Sequence, residues 1–438
     1  MQMSTNKNNS NGPETATPPS DDDDANISLP QLEAHLAPVG QPVEGAFSTR
    51  TVLFVRAYWA AEDGEQERAG GHMYVERLDP LLTVQPLPII LIHGDWHTGQ
   101  VWNTKPDGKP GWASYFNYQG YRVYVVDLPA CGRSNSLTAG QLLVANQSAV
   151  PSEAIVARDV TATASQTQEG WDTARLHTQW PGSGQSGDAI FDRYYASLVP
   201  LLLRKADRQK LAQSALSSLL DETGPAILIG EGSGATMAWL AADAKPQQVA
   251  AVMAIEPAGP PCGTARSQQQ QQQQQPDISC HHHHRRFSPQ IRLDRQVRAW
   301  GLADIPMQFD PPVKAPADLD VIATLALGHQ GTCAMQACAE NSWPRQAPGP
   351  PPTPRRLTNL ETMPHLVVTA QASSHSTYDW ATVKFLRQAG AKTDSKRLEE
   401  YGVLGNGHLM FLEENSDEIA CLLCMWIAER FPTVVADV

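Results

Sequence analysis

Long apolar runs are missing from this 438-residue chain, and none approaches the roughly 20 residues a helix needs to cross a bilayer. The first 25 residues, MQMSTNKNNSNGPETATPPSDDDDA, contain no apolar stretch either, so they do not read as a secretory leader, and the expected location is the cytoplasm. Positive charge is also short. Lys and Arg number 33 against 46 Asp and Glu, a formal net charge of −13, and such a balance argues against a nucleic-acid or anionic-membrane partner. A small or neutral partner is expected instead. Cysteines are few, odd in number at seven and irregularly spaced, which is not a disulfide framework. Cys421 and Cys424 form C-x-x-C, but inside SDEIACLLCMWIAERF, which reads as a buried helix capped by Ser416 with Asp417 and Glu418 in its first turn. Core packing is their expected role.

What is present is a hydrophobic fraction of 41% arranged in blocks. Residues 1–45 are rich in Asn, Ser, Pro and Asp and read as a disordered tail. From residue 46 come TVLFVRAYW and GHMYVERL, then LPIILIHG, YRVYVVDLP, PAILIG, AAVMAIEP and HLVVTA. Continuous apolar runs alternating with helical segments predict an α/β domain, residues 46–432, around a mostly parallel sheet buried on both faces. Two stretches interrupt it. Residues 136–190 have weak periodicity and are expected to leave the sheet as a lid, with Trp171, Trp180 and Phe191 available as apolar walls. Residues 261–360 contain eight consecutive Gln at 268–275, four His at 281–284 and PGPPPTP at 348–354. That composition predicts a disordered, dispensable insertion. Four adjacent His on such a segment give no fixed geometry, so no metal site is expected.

Ligands bind at the carboxyl ends of strands in open parallel sheets. After IILI comes HGDWHTG, whose glycine lets the N–H of Asp95 or Trp96 face a developing oxyanion. After AILI comes GEGSGA. Read as G-x-G-x-x-A, Gly230, Gly232 and Ala235 would cradle a dinucleotide, with Glu256 on the ribose. Read as a nucleophile elbow, the turn presents Ser233. The elbow is preferred, because at least four strands precede the turn, and an HG turn lies upstream and a Gly-flanked His408 downstream. The order Ser233, Glu256, His408 is that of a hydrolase triad.

At these residues a resemblance is plain. LIHGDWHTGQVWNTKPDGKPGWASYFNYQGYRVYVVDLPACGRS, AVMAIEPAG and GVLGNGHLMFLEENSDEIACLLCMWI together resemble a family of α/β-hydrolase-fold esterases, over roughly residues 46–135, 192–260 and 361–432. In that family the triad Glu directly follows the strand after the nucleophile, and the base His lies in a G-N-x-H loop. The resemblance implies a serine esterase with Glu256 as acid and His408 as base, acting on a small or medium apolar ester without a cofactor. Gln371 stands where the acid more usually lies in this fold. Ser233 Oγ would attack, with the oxyanion held by Gly234 N–H and by that of Asp95 or Trp96.

The departure is central. Gapless alignment of the elbow puts Gly232 in the nucleophile slot, and the interval 256 − 232 = 24 matches the family where 256 − 233 = 23 is one short. Either a one-residue shift at the turn brings Ser233 up, or the chain is a catalytically silent relative acting as a binding protein.

Overall fold

The computed structural model describes residues 48–59, 68–134, 148–165, 171–266, 290–325, 332–338 and 353–432. The expected tail, 1–45, lies outside them, as do the Gln tract and His281–His284.

Apolar runs of four to seven residues became the central strands, where two helical layers cover them. The strands are β1 Ser48–Trp59, β2 Arg68–Pro80, β3 Ile89–Ile92, β4 Val123–Asp127, β5 Ala226–Glu231 and β6 Val249–Ile255, followed later by β11 Pro364–Thr369 and β12 Lys392–Arg397. They form one eight-stranded sheet in the order β1-β2-β4-β3-β5-β6-β11-β12. The first two pairings, β1 with β2 and β2 with β4, are antiparallel, and the rest are parallel. Side chains alternate across a strand. Ile90, Leu228, Val252 and Val367 therefore face the helices Lys205–Thr223, Ser233–Ala244 and Asp379–Gln388. Ile89, Ile227, Met253 and Leu366 face the helices Trp112–Tyr118 and Ser416–Arg430. All eight are fully buried, and each contributes about 1.5–3 kcal/mol on burial. That double coverage is why the runs are continuous rather than alternating.

The elbow depends on close backbone approach. A Cβ on Gly230 would lie 2.5 Å from Ala235 N, and one on Gly234 would lie 2.4 Å from Ile92 O. Both glycines let the helix Ser233–Ala244 press against the strands beneath it. Gly234 thus serves packing.

Two sequence expectations are corrected here. The span 261–360 is not disordered throughout. It carries the hairpins β7 Gly263–Arg266 with β8 Gln290–Leu293, and β9 Val321–Leu325 with β10 Thr332–Gln336. Leu302, Ile305, Met307, Phe309 and Leu319 from the same span enter the main core. The polar tracts hide this, because the buried residues are spread singly between Pro, Asp and Arg. The C-terminal helix runs Ser416–Arg430, with N-cap Asn415 making no side-chain cap. Ser416 Oγ instead accepts from Lys105 Nζ at 3.1 Å, and of the C-x-x-C pair Cys421 is buried and Cys424 half-buried, both unpaired.

Candidate active site

β3, β5, β6 and β11 end side by side, and the loops leaving their carboxyl ends assemble the site. After β3, His93 is a strut: its Nδ1–H donates to Gly94 O at 2.8 Å, and its Nε2 accepts from Leu128 N at 3.0 Å. Burial holds its pKa down, so it stays neutral. The chain then turns through Trp96, whose φ is +62°. The N–H groups of Asp95 and Trp96 donate no hydrogen bond among the described residues.

After β5 the backbone of Gly232 has φ +54° and ψ −118°. A Cβ added there would meet nothing within 4 Å. The turn is locked on both sides, Gly232 N donating to Ile255 O at 3.0 Å and Gly232 O accepting from Ala258 N at 2.9 Å. Gly232 thus occupies the sharp turn, and Ser233 is already the first residue of the helix. The one-residue shift expected to lift Ser233 into the turn does not occur. Its Oγ donates to Asp95 Oδ1 at 2.5 Å, and the same oxygen takes Arg208 Nη1 at 2.6 Å. No hydrogen bond joins Ser233 to His408 among the described residues. The N–H just past the turn is that of Ser233, with Gly234 one residue further into the helix.

After β6, Glu256 adopts φ +46° and is fully buried. Its carboxylate accepts from Ala370 N at 2.8 Å, Ser373 Oγ at 2.6 Å and His408 Nδ1 at 2.7 Å. His408 rides on the loop before the last helix. Glu413 accepts from Gly407 N at 2.9 Å and from Asn406 Nδ2 at 2.8 Å, and Gln371 Oε1 accepts from Gly405 N at 3.1 Å. The structure therefore brings Glu256 and His408 together, while Gln371 braces the loop.

Two groups that sequence reasoning did not assign complete the arrangement. Glu231, the last residue of β5, is buried and accepts from Gly94 N at 2.7 Å. Its other oxygen stands 3.5 Å from His408 Nε2, while His97 Nδ1 lies 3.2 Å from the oxygen that Gly94 N holds. His97 Nε2 in turn meets Tyr194 Oη at 2.9 Å. Burial opposes charge on His408, but its two carboxylates, Glu231 foremost, outweigh it and raise its pKa to about 10. Burial likewise disfavours charge on Glu231, yet His97 and His408 pull its pKa well below the carboxylate range. Burial raises the Glu256 carboxyl. His375 stacks on His408 at 4.7 Å, with its Nδ1 3.1 Å from Asp379. Glu256, His375 and His408 each place a donor atom within 4.8 Å of the others. The stacked rings lie within 9° of parallel, so their in-plane lone pairs do not converge as a metal requires.

These groups line a cavity of about 440 Å³, a size that suits a small to medium ligand. Its apolar wall comes from Ile155, Val156, Val160, Leu198 and Leu409. Trp171, Trp180 and Phe191, expected as walls, serve elsewhere. Phe191 and Trp180 are buried, and Trp171 Nε1 donates to Ala372 O at 2.8 Å.

The family model described as the alpha/beta hydrolase family matches residues 89–420, and the chain belongs to that family. A probable secreted lipase, phiG, from a fungal species (strain ATCC 74256) is 34% identical over 360 residues, 82% of this chain and 86% of the relative. Among solved structures, a novel bacterial esterase superposes with a TM-score of 0.54 at 18% identity, covering 90% of this chain and all of its own. The carboxylesterase CesB of Bacillus subtilis aligns with a TM-score of 0.36 at 12% identity, covering 90% of this chain and 95% of its own. The cytoplasmic expectation is corrected by the fungal relative, which is named as secreted. No helix among the described residues is long and apolar enough to cross a membrane.

Proposed function

We propose that the pocket hydrolyses carboxylic esters of small to medium size, with water rather than a serine hydroxyl as the attacking group. One observation carries this reading: the elbow conformation belongs to Gly232, with open space where a nucleophilic side chain would stand. In this reading a water taken into the open space at Gly232 is the nucleophile and His408 Nε2 its base. The ester carbonyl oxygen points toward the N–H of Ser233 and that of Asp95 or Trp96, a contribution of about 3–4 kcal/mol per donor in well-studied sites. Water oxygen bonds to the carbonyl carbon as its proton passes to His408 Nε2, and Glu256 holds the imidazolium at Nδ1. Collapse breaks the bond to the alcohol oxygen, which takes the proton back from His408. Products are acid and alcohol. The names of the lipase and esterase relatives support an ester as substrate.

A binding protein without turnover is the second reading, and one observation favours it: His408 between two carboxylates is held protonated at neutral pH. Hydrolysis of short-chain p-nitrophenyl esters, followed from pH 6 to 10.5, separates the two. Turnover that rises with pH, persists in Ser233→Ala and leaves no fluorophosphonate label is expected. Loss of activity in a folded Ser233→Ala protein overturns the water mechanism, and absence of hydrolysis at every pH, of these esters and of p-nitrophenyl hydrogen glutarate alike, favours the silent reading.

A further inference from the structure

The same cavity is lined by a cation that pairs with no acidic side chain among the described residues. Arg298 is 6% exposed yet lines the cavity beside Gly259, His375 and Tyr378. Its Nε donates to Pro260 O at 2.9 Å and one terminal nitrogen donates to Gly263 O. The other, Nη1, has no hydrogen-bond partner among the described residues and is not fully buried, on a residue that lines the cavity. The acidic groups around the cavity are engaged elsewhere. Asp95 pairs with Arg208, Asp159 with Arg158 at the rim, and Glu231 faces His97 and His408. Asp304 accepts from the backbone N–H of Arg298 at 2.8 Å while its carboxylate pairs with Lys205 at 3.0 Å.

The backbone is built to hold this placement. Arg298 has φ +46°, a conformation that costs a non-glycine residue about 1–3 kcal/mol and gathers at functional sites. The Asp304 contact and the bond from Gly301 N to Arg298 O at 2.8 Å fix it. Trp96 and Glu256, both at the site, share the same left-handed backbone. Burial pushes against the guanidinium charge, with Asp304 its largest counterweight, and an incoming anion would favour the charge further. A guanidinium with one terminal nitrogen left unpaired suits a carboxylate better than a neutral group.

We propose that Arg298 is a substrate-recognition residue and that the ester taken by this pocket carries a free carboxylate, as the half-ester of a dicarboxylic acid does. This deepens the hydrolase reading and rests on it for the word substrate, but the recognition itself is a matter of binding. Calorimetric titration of the wild-type protein at pH 7 compares monomethyl glutarate with methyl 4-carbamoylbutanoate, its neutral amide counterpart. The anion is expected to bind at least about tenfold tighter. Arg298→Gln should erase that preference while keeping affinity for the amide, and Arg298→Lys should keep part of it. Equal affinities in the wild type overturn the proposal without any variant having to fold. A preference that survives Arg298→Gln assigns the anion to His408 and overturns it equally. Should the preference hold while p-nitrophenyl hydrogen glutarate is not hydrolysed, the recognition stands and the hydrolase reading fails.

Discussion

Glu231 Oε1 faces Nε2 of His408 at 3.5 Å, while Nδ1 of the same ring is held by Glu256 at 2.7 Å. One imidazole thus sits between two buried carboxylates, and its acidity is set by both. Under the proposed mechanism the neutral ring is the active form, so turnover should climb about tenfold per pH unit and level off near pH 10. Glu231→Gln removes one negative partner and should bring the inflection down by at least about one unit, raising the rate at pH 7. A pH–rate profile of the two proteins checks this, and an unmoved inflection would show that Glu231 does not govern the base.

Gly232→Ser should place a hydroxyl in the open space at the turn, within the plane of attack that Glu256 and His408 already define. A fluorophosphonate label and a burst of acyl-enzyme are expected to appear that the wild type lacks. Because serine has no ease at φ +54°, the same change should cost roughly 1–3 kcal/mol of stability. Mass spectrometry and thermal melts read the two effects separately.

Glu413 is fully buried, with donors from Gly407, Asn406 and His177 converging on it. Glu413→Ala strands those groups at about 1–3 kcal/mol each, and it should loosen the loop that carries His408. The expected result is a lower melting temperature and a fall in kcat larger than any rise in KM. A stable protein with unchanged kinetics would count against the bracing role.

Deleting residues 263–355 should yield insoluble protein, since Phe309 and its neighbours fill the core. Phe309→Ala alone should cost about 3–5 kcal/mol, measurable by denaturant unfolding.

Burial lowers His365 to about 4 and His375 to about 3. Unfolded, each takes a proton near pH 6.5, so the unfolded chain binds more protons below that value. The stability they confer is complete above pH 6.5 and is lost as pH falls through those lower values. Melting temperature should drop steeply below pH 6, and His365→Gln should flatten that slope.

The parallel strands are legible in the sequence because their apolar runs are dense, and Glu256 and His408 because each stands after a recognisable strand or glycine loop. β12, Lys392–Arg397, reads KTDSKR and escapes such a reading, since an edge strand exposed to solvent carries no apolar signature. The elbow is legible only as a conflict between Gly232 and Ser233. Spacing to Glu256 favours the glycine, and the backbone angles agree with it. His97 and Tyr194 are 97 residues apart and meet only through the fold. Arg298 lies inside a span whose polar tracts suggest disorder, and its left-handed backbone has no sequence mark at all.

The segment from Trp171 to Gln179 is sewn to the loop of the base. Thr178 N and Gln179 N both donate to Gly405 O, Glu414 N returns a bond to Gln179 O, and Trp171 holds Ala372. A doorway hinged on that seam would drag its own lock with it: widening the entrance by lifting these residues also displaces the imidazole. Admission and proton transfer would then be coupled, and the indole of Trp171, on the seam, is a native fluorophore that would report such a motion.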